Sequence, residues 1–119
     1  EHGYLRRVER AHGLPLAERQ HADRIAGGRV YRDARYASYG LDVELDGRLD
    51  HTALGQRDRD LDRDLESATT GRRTIRLGWG QVYDRPCRTA GHVARLLALG
   101  GWTGTPKRCS PDCPVADVA

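Results

Sequence analysis

The segment LDVELDGRLDH, residues 41–51, constrains the fold more than any other part of the sequence. Apolar and acidic residues alternate from Leu41 to Asp46, which predicts a strand with one apolar and one acidic face, and Gly47 then breaks the pattern. The acidic face carries Asp42, Glu44 and Asp46, and nothing on the same strand offsets their charge. Two interpretations stay open: a solvated outer face, or ligands for a divalent cation such as Mg²⁺, which prefers carboxylate oxygen.

The rest of the chain predicts helices and strands on either side of this strand. We expect a helix over 4–12, an ambiguous segment readable as a strand over 16–25, strands over 29–36 and 73–79, and helices over 52–70 and 89–100. In the helix over 52–70, the periodic apolar residues are expected to face the core; they are Leu54, Leu61, Leu65 and Ala68. The charged run RDRDLDRD should form a salt-bridged outer face.

Length and composition favour one domain. The chain has 119 residues, and no apolar run approaches the length of a membrane span. We expect a folded domain over 1–102 and an irregular Cys- and Pro-rich tail over 103–119, docked on the last helix. The sequence opens without a charged and then apolar leader, so we expect a cytoplasmic protein, with this chain as a fragment of something longer.

The basic residues favour a nucleic-acid partner. The formal net charge is +3, the pI is near 9.0, and Lys107 is the only lysine among 20 basic residues. Arginines gain affinity for DNA by displacing counterions from phosphates. The arginines expected to reach DNA phosphates are Arg6, Arg10, Arg32 and Arg35.

A second carboxylate precedes the acidic strand. Asp33 lies eleven positions before Glu44 (44 − 33 = 11), and a hairpin turning at residues 38–40 would bring the two nearly opposite each other. Asp33 could instead be a surface acid paired with Arg32 or Arg35. Together, Asp33, Glu44 and Asp46 form a more specific signal than any one of them.

These residues resemble a known family. Asp33, then VELDGRLDH, DLDRDL and TIRLGW, are similar to the very-short-patch-repair (Vsr)-like endonuclease domains of the PD-(D/E)xK restriction-endonuclease-like superfamily, most closely uncharacterised actinobacterial ones. The resemblance implies an α/β fold with an αβββαβ core, a mixed central sheet flanked by helices, and a C-terminal helix with a Cys-containing tail. It also implies Mg²⁺ or Mn²⁺ at Asp33, Glu44 and Asp46, Glu9 as an accessory acid, and a winged-helix region preceding this domain in a longer parent protein.

The sequence departs from this family at the motif lysine. The residue two positions after Glu44 is Asp46, and Lys107 lies far away in the sequence. His51 could then act as general acid or base, since its ordinary pKa suits proton transfer near neutrality, or it could cap the next helix or lie in solvent. Arg63 could stabilise negative charge, although a structural role on its helix is the stronger expectation.

Three cysteines raise a separate question. Cys109 and Cys113 resemble half of a zinc site, and Cys87 with His92 could complete a Cys₃His set. A disulfide, either Cys109 to Cys113 or Cys87 to the tail, and three free thiols are the alternatives.

Two functions follow from the sequence. The first is a metal-dependent DNA endonuclease or nickase with catalytic residues Asp33, Glu44, Asp46 and His51. The second is a nuclease-derived module that binds nucleic acid or protein without cutting, in a protein of DNA-repair or toxin–antitoxin type. The three carboxylates favour the first function and the missing lysine favours the second.

Overall fold

The computed structural model describes residues 3–25, 28–45 and 54–119, and the side chains within 3–19, 33–45 and 61–119. The chain begins with a π-helix, Tyr4–Arg10, and continues into strands β1 (Glu18–Ile25), β2 (Gly28–Tyr36) and β3 (Leu41–Leu45). Helix α1 (Leu54–Ala68) leads to strand β4 (Arg73–Leu77). A short π-helical segment (Gly80–Asp84), helix α2 (Pro86–Leu99) and the four-residue helix α3 (Val115–Val118) complete the described part of the chain.

The four strands form one mixed sheet in the order β1-β2-β3-β4. The pairs β1–β2 and β2–β3 are antiparallel, whereas β4 lies parallel to β3. Helix α1 lies in the connection between β3 and β4 that two parallel strands require. The predicted fold class is therefore confirmed: an α/β chain with a mixed central sheet, a C-terminal helix and a tail that contains cysteines.

The turn between β2 and β3 depends on one glycine. Gly40 has a φ of +65°, in the left-handed region that glycine adopts without steric cost. It follows a single 3₁₀ turn, Ala37–Tyr39, and brings the chain back in a register that pairs Ala34 with Val43 and Tyr36 with Leu41.

The hydrophobic core lies between the sheet, the N-terminal π-helix and α2. Its buried side chains include Leu5, Val8, Tyr36, Leu41, Val43, Val93, Leu97 and Val115. Val115 belongs to α3, so the tail contributes to this core. Gly91 on α2 allows α3 to pack closely against α2, since a Cβ on it would lie 2.8 Å from Val118 Cγ1.

The orientation of α1 differs from the prediction. Leu61 and Leu65 are 60% and 70% exposed, Ala68 is exposed as well, and Ser67 is buried. The side chain of Leu54 lies outside the described ones. The helix itself was predicted correctly, but in its described half the polar side faces inward and the apolar stripe faces outward.

None of the helices within the described residues is both long and apolar enough to span a bilayer.

Candidate metal centre and acidic strand face

Four potential metal ligands from distant parts of the chain meet at one point. The ligand atoms of His12, Cys87, Cys109 and Cys113 all lie within 4.8 Å of one another. The Sγ atoms of Cys87 and Cys109 are 3.5 Å apart, and all three cysteines are free. A tetrahedral site with Zn–S bonds of about 2.3 Å places two sulfurs about 3.8 Å apart, whereas a disulfide needs about 2.05 Å. The group could therefore hold a metal ion, and the disulfide alternatives do not describe this structure.

Backbone contacts bring the ligands together. His12 follows the N-terminal π-helix, and its carbonyl oxygen accepts a 2.8 Å hydrogen bond from the backbone N–H of Lys107 in the tail. Cys87 is the second residue of α2. The Cys109–Cys113 segment turns back on itself, because the backbone N–H of Cys113 donates to Ser110 O at 3.1 Å. The loop before β1, the start of α2 and the tail thus converge on one site.

The His12 ring is oriented as a metal ligand. Its Nδ1 lies 3.0 Å from Val8 O, and we assign the proton to this nitrogen because a carbonyl can only accept. Its Nε2 is buried and has no hydrogen-bond partner among the described residues. An orphaned ring nitrogen is costly unless something fills its lone pair. Metal-bound histidines usually show this arrangement, with one nitrogen held by a carbonyl and the other on the ion.

The Cys113 and Cys87 thiols differ in pKa. Burial alone would raise the pKa of the Cys113 thiol, but the backbone N–H groups of Cys109 and Val115 favour its thiolate and lower that pKa to about 6. Burial, together with the neighbouring Cys113 and Cys109 sulfurs, raises the pKa of the Cys87 thiol to about 12. Three thiolates at this spacing would repel one another, and a bound cation would offset that repulsion.

The prediction of His92 as the fourth ligand was wrong. His92 lies exposed on α2, five residues after Cys87, which places it about 140° around the helix from that cysteine. His12 takes its place in the group. No spacing motif could have found His12, since it lies 75 positions before Cys87 (87 − 12 = 75). Its position just before Gly13-Leu14-Pro15, where the first helix ends, was the only local signal.

Asp42 on the acidic strand is not solvated. It is 1% exposed, and two arginines surround its carboxylate. Arg35 donates from Nε at 2.9 Å and from Nη2 at 3.1 Å, and Arg72 donates from Nη2 at 2.8 Å and from Nε at 3.1 Å. Burial alone would raise the pKa of Asp42, but these two arginines outweigh it and hold that pKa below its usual range. Arg35 is therefore held by Asp42, and its assignment as a DNA-contacting residue stays a prediction.

Three further carboxylates, those of Asp33, Glu44 and Asp64, lie around Arg76 and the β2–β3 hairpin. The register Ala34 to Val43, continued by one residue, puts Asp33 opposite Glu44. Asp33 Oδ2 accepts a 2.6 Å hydrogen bond from the backbone N–H of Leu45. Arg76 on β4 is the direct neighbour of Glu44, with 3.5 Å between Nε and Oε1, and its Nη2 donates to Asp64 Oδ1 on α1 at 3.1 Å.

This arrangement gives the predicted magnesium site little support. Among the described side chains, the His12–cysteine group is the only set of three or more ligands that could hold an ion. Asp46 and His51, which the sequence assigned to the metal and to proton transfer, lie outside the described residues.

Glu9 lies in the core rather than at an open site. Its Oε2 accepts a hydrogen bond from the Tyr36 hydroxyl at 3.0 Å, and Tyr36 is in turn 2.8 Å from the Tyr4 hydroxyl. The Ala17 backbone N–H approaches Oε1 at 3.4 Å. Burial raises the pKa of Glu9. Glu9 therefore has a structural position in the core, and its assignment as an accessory acid stays a prediction.

The other predicted site residues are placed as follows. Arg6 and Arg10 are exposed on the N-terminal π-helix, Arg63 is half-buried on α1, and the side chain of Arg32 on β2 lies outside the described ones.

In comparisons with known proteins, no family model, no curated protein and no solved structure matches this chain.

Proposed function

We propose that the chain is a zinc-stabilised DNA endonuclease domain, in which zinc is structural and the carboxylates of the β2–β3 hairpin serve the hydrolysis of phosphodiester bonds. The single observation that carries the zinc assignment is the buried, partnerless Nε2 of His12 beside three cysteine sulfurs. Three thiolates and an imidazole match the preference of Zn²⁺ for sulfur and nitrogen.

The zinc is structural because the protein supplies all four ligands. A catalytic zinc keeps one position open for water or substrate, whereas a Cys₃His set closes the tetrahedron. The bound ion would join the loop after the first helix to α2 and to the tail.

A pair of histidine variants tests the zinc assignment. His12→Ala should purify with less than one zinc per chain and melt at a lower temperature. It should bind zinc more than about 100-fold more weakly, because losing even a residue that only supports a metal ligand lowers metal affinity 10- to 100-fold. His92→Ala removes the exposed histidine and should keep the wild-type zinc content. Elemental analysis and thermal unfolding measure both. Equal zinc in the two variants, or none in the wild type even after zinc is supplied, would refute the assignment.

The proposal of hydrolysis is supported by the pairing of Asp33 with Glu44 beside an arginine. Two carboxylates opposite each other in a mixed sheet, next to the cationic Arg76, offer both ligands for a cation and a positive charge for phosphate. Arg76 also supplies a charge where the family's motif lysine is missing.

The roles of the residues at this site follow from those contacts. Asp33 and Glu44, with Asp46, would hold Mg²⁺ or Mn²⁺, which when bound supplies an activated water for attack on phosphorus. The Leu45 backbone N–H orients the Asp33 carboxylate. Arg76, fixed between Glu44 and Asp64, stabilises negative charge as it builds on the phosphate oxygens.

Charge-only substitutions test hydrolysis. Asp33→Asn and Glu44→Gln keep the shape and one acceptor oxygen of each side chain and should abolish nicking of plasmid DNA with Mg²⁺ or Mn²⁺. Asp62→Asn, on an exposed position of α1, is the matched control and should leave nicking unchanged. Wild-type protein that binds DNA but cuts no duplex, mismatched or single-stranded substrate with either metal would refute the enzyme.

One observation favours a second function, a binding module that does not cut. Glu44 is already neighboured by Arg76, and Asp33 already accepts a hydrogen bond from Leu45, so each carboxylate has a protein partner. In that case DNA binding should persist unchanged in Asp33→Asn and Glu44→Gln, with no cleavage in any of the proteins.

A further inference from the structure

Two neighbouring aromatic side chains and an arginine distant in the sequence form an exposed surface, which we call the aromatic platform (Arg7, Trp79 and Tyr83). Trp79 is 62% exposed. Its ring centroid lies 4.8 Å from that of Tyr83, with 30° between the ring planes. The Arg7 guanidinium carbon lies over the Tyr83 ring, 5.0 Å from its centroid. A cation over a ring at this distance is a cation–π contact, so the platform carries positive charge beside an open indole face.

The two rings of the aromatic platform are held in place by the short π-helical segment and its contact with α2. Trp79 precedes the short π-helical segment and Tyr83 lies within it, so the two rings share one side of a helical turn. Val82 between them is buried. The Thr89 hydroxyl donates to Gln81 O at 2.7 Å, which fixes the segment to α2.

Gly3 makes room for Tyr83 against the N-terminal π-helix. A Cβ on Gly3 would collide with the Tyr83 ring and hydroxyl. Because the π-helix carries Arg7, this close approach is what places the guanidinium over the ring. An indole held in this way loses little conformational entropy when a ligand stacks on it.

Further arginines lie beside the platform. The Arg85 guanidinium reaches back to Gly80, the residue after Trp79, where a Cβ would lie 3.0 Å from Nη2. Arg6 and Arg7 are exposed on the neighbouring helix. Asp84 is an exposed acid of the same segment as Tyr83. The net charge of these three arginines and Asp84 is therefore positive.

The aromatic platform also lies close to β4, the strand that carries Arg76. Trp79 comes two residues after the end of β4, and Arg76 on that strand neighbours Glu44. Three residues span at most about 10 Å. A DNA strand at the proposed hydrolytic site therefore passes within reach of the indole.

We propose that Trp79 stacks on an unpaired nucleobase of a DNA strand, while Arg7 and Arg85 contact its phosphates. This inference rests on the proposed function for its choice of DNA. Every base offers a π-face to an aromatic side chain, and adjacent arginines neutralise the backbone, which is how proteins bind single strands. The surface thus serves an unpaired or displaced base and adds to binding without reading sequence.

Binding by fluorescence anisotropy tests the platform with two labelled probes, an oligothymidylate and an oligonucleotide of the same length with abasic sites. Trp79→Ala should bind the oligothymidylate about 5- to 150-fold more weakly than wild type, the loss expected for one stacked base. Trp79→Phe should recover part of that affinity. On the abasic probe all three proteins should bind alike. Leu99→Ala, at an apolar position 74% exposed, is the matched control and should bind both probes as wild type does.

Several results would overturn the proposal. Equal wild-type affinity for the two probes would do so, and so would equal losses in Trp79→Ala on both. A third contrary result is Trp79-dependent binding to phosphatidylserine vesicles without binding to either oligonucleotide. Plasmid nicking on the same preparations separates the two proposals. Nicking without any base-dependent binding rejects the platform alone, and base-dependent binding without nicking rejects the nuclease alone.

Discussion

Asp42 is the residue whose surroundings differ most from the interpretation of its pattern as a solvated face. Alternation along β3 places Asp42 on the side opposite Leu41 and Val43, yet all three are buried. Two guanidinium groups satisfy the carboxylate, one from β2 and one from Arg72, thirty residues further along the chain. A buried acid with two bidentate partners fixes the position of both neighbours, and removing its charge leaves two arginines facing each other.

Asp42→Asn should therefore lower the free energy of unfolding by about 3–5 kcal/mol at pH 7, the usual cost of breaking a buried ion pair. Urea unfolding measures this. Asp62→Asn, which removes an exposed charge from α1, should change stability by less than about 0.5 kcal/mol. Similar values for the two variants would show that the Asp42 cluster contributes little.

The sign of the pH dependence follows from the same cluster. The folded protein holds the pKa of Asp42 below its ordinary value of 3.8, so the stabilisation is present above pH 3.8 and is lost as the pH falls through the folded-state pKa. The stability difference between wild type and Asp42→Asn should stay constant from pH 7 to pH 5 and shrink below pH 3.8. Both proteins carry the same metal ligands, so comparing them at equal zinc content cancels the acid sensitivity of the metal centre.

At the scale of elements, the sequence predicted most of what the structure shows. Alternation along β3, helical periodicity in α1 and α2, and the glycine turn before β3 are local signals, and the four strands, the first helix, α1 and α2 lie close to their predicted ranges. The short helical segments Gly80–Asp84 and Val115–Val118 were not predicted. The hairpin register that opposes Asp33 and Glu44 was also predictable, because loop length fixes register.

Which side of a helix faces inward is set by partners that periodicity does not reveal. Helix α1 has a regular apolar stripe, but Arg76 on β4 donates to Asp64, and this contact turns the polar side of the helix towards the sheet. The three cysteines of the metal group were predicted, but His12 escaped prediction for the same reason, since it comes from a separate segment. Contacts between distant residues, and not local patterns, decided both outcomes.

A matched pair of leucine variants checks the orientation of α1. Leu65→Ser on α1 should cost less than about 0.5 kcal/mol of stability, because its side chain is 70% exposed. Leu97→Ala on α2 removes a side chain that is 0% exposed and should cost about 2–5 kcal/mol. Chemical unfolding of both variants gives the comparison. A cost above 2 kcal/mol for Leu65→Ser would mean that this face of α1 is covered in solution.

At the scale of the whole molecule, the metal group and the sheet stabilise different parts. The sheet and α1 are built from residues 18–77, whereas the metal ligands belong to the segments before and after them. Zinc should therefore stabilise the N-terminal π-helix, the start of α2 and the tail more than it stabilises the pairing of β2 with β3.

Metal removal tests this division. After chelation, backbone amides in residues 4–14 and 105–119 should exchange hydrogen at least about tenfold faster, because local opening no longer breaks metal bonds. The amides of β3, paired on both sides, should change less. Hydrogen exchange read by mass spectrometry, with His92→Ala as a variant that keeps zinc, measures both regions. Uniform acceleration across the chain would show instead that zinc and sheet unfold as one unit.

The location of His12 near one end of the sequence, and of Cys113 near the other, has a consequence for synthesis. Cys113 lies 101 positions after His12 (113 − 12 = 101), so the whole intervening chain leaves the ribosome before the last ligand does. The sheet and the first helix can fold while the chain is still growing, but the four-ligand centre cannot close until the tail emerges. Of the four ligands, a nascent chain that stalls before Cys109 holds only His12 and Cys87, and it would bind zinc weakly. Tight capture of the proposed ion would thus be reserved for chains translated through Cys113.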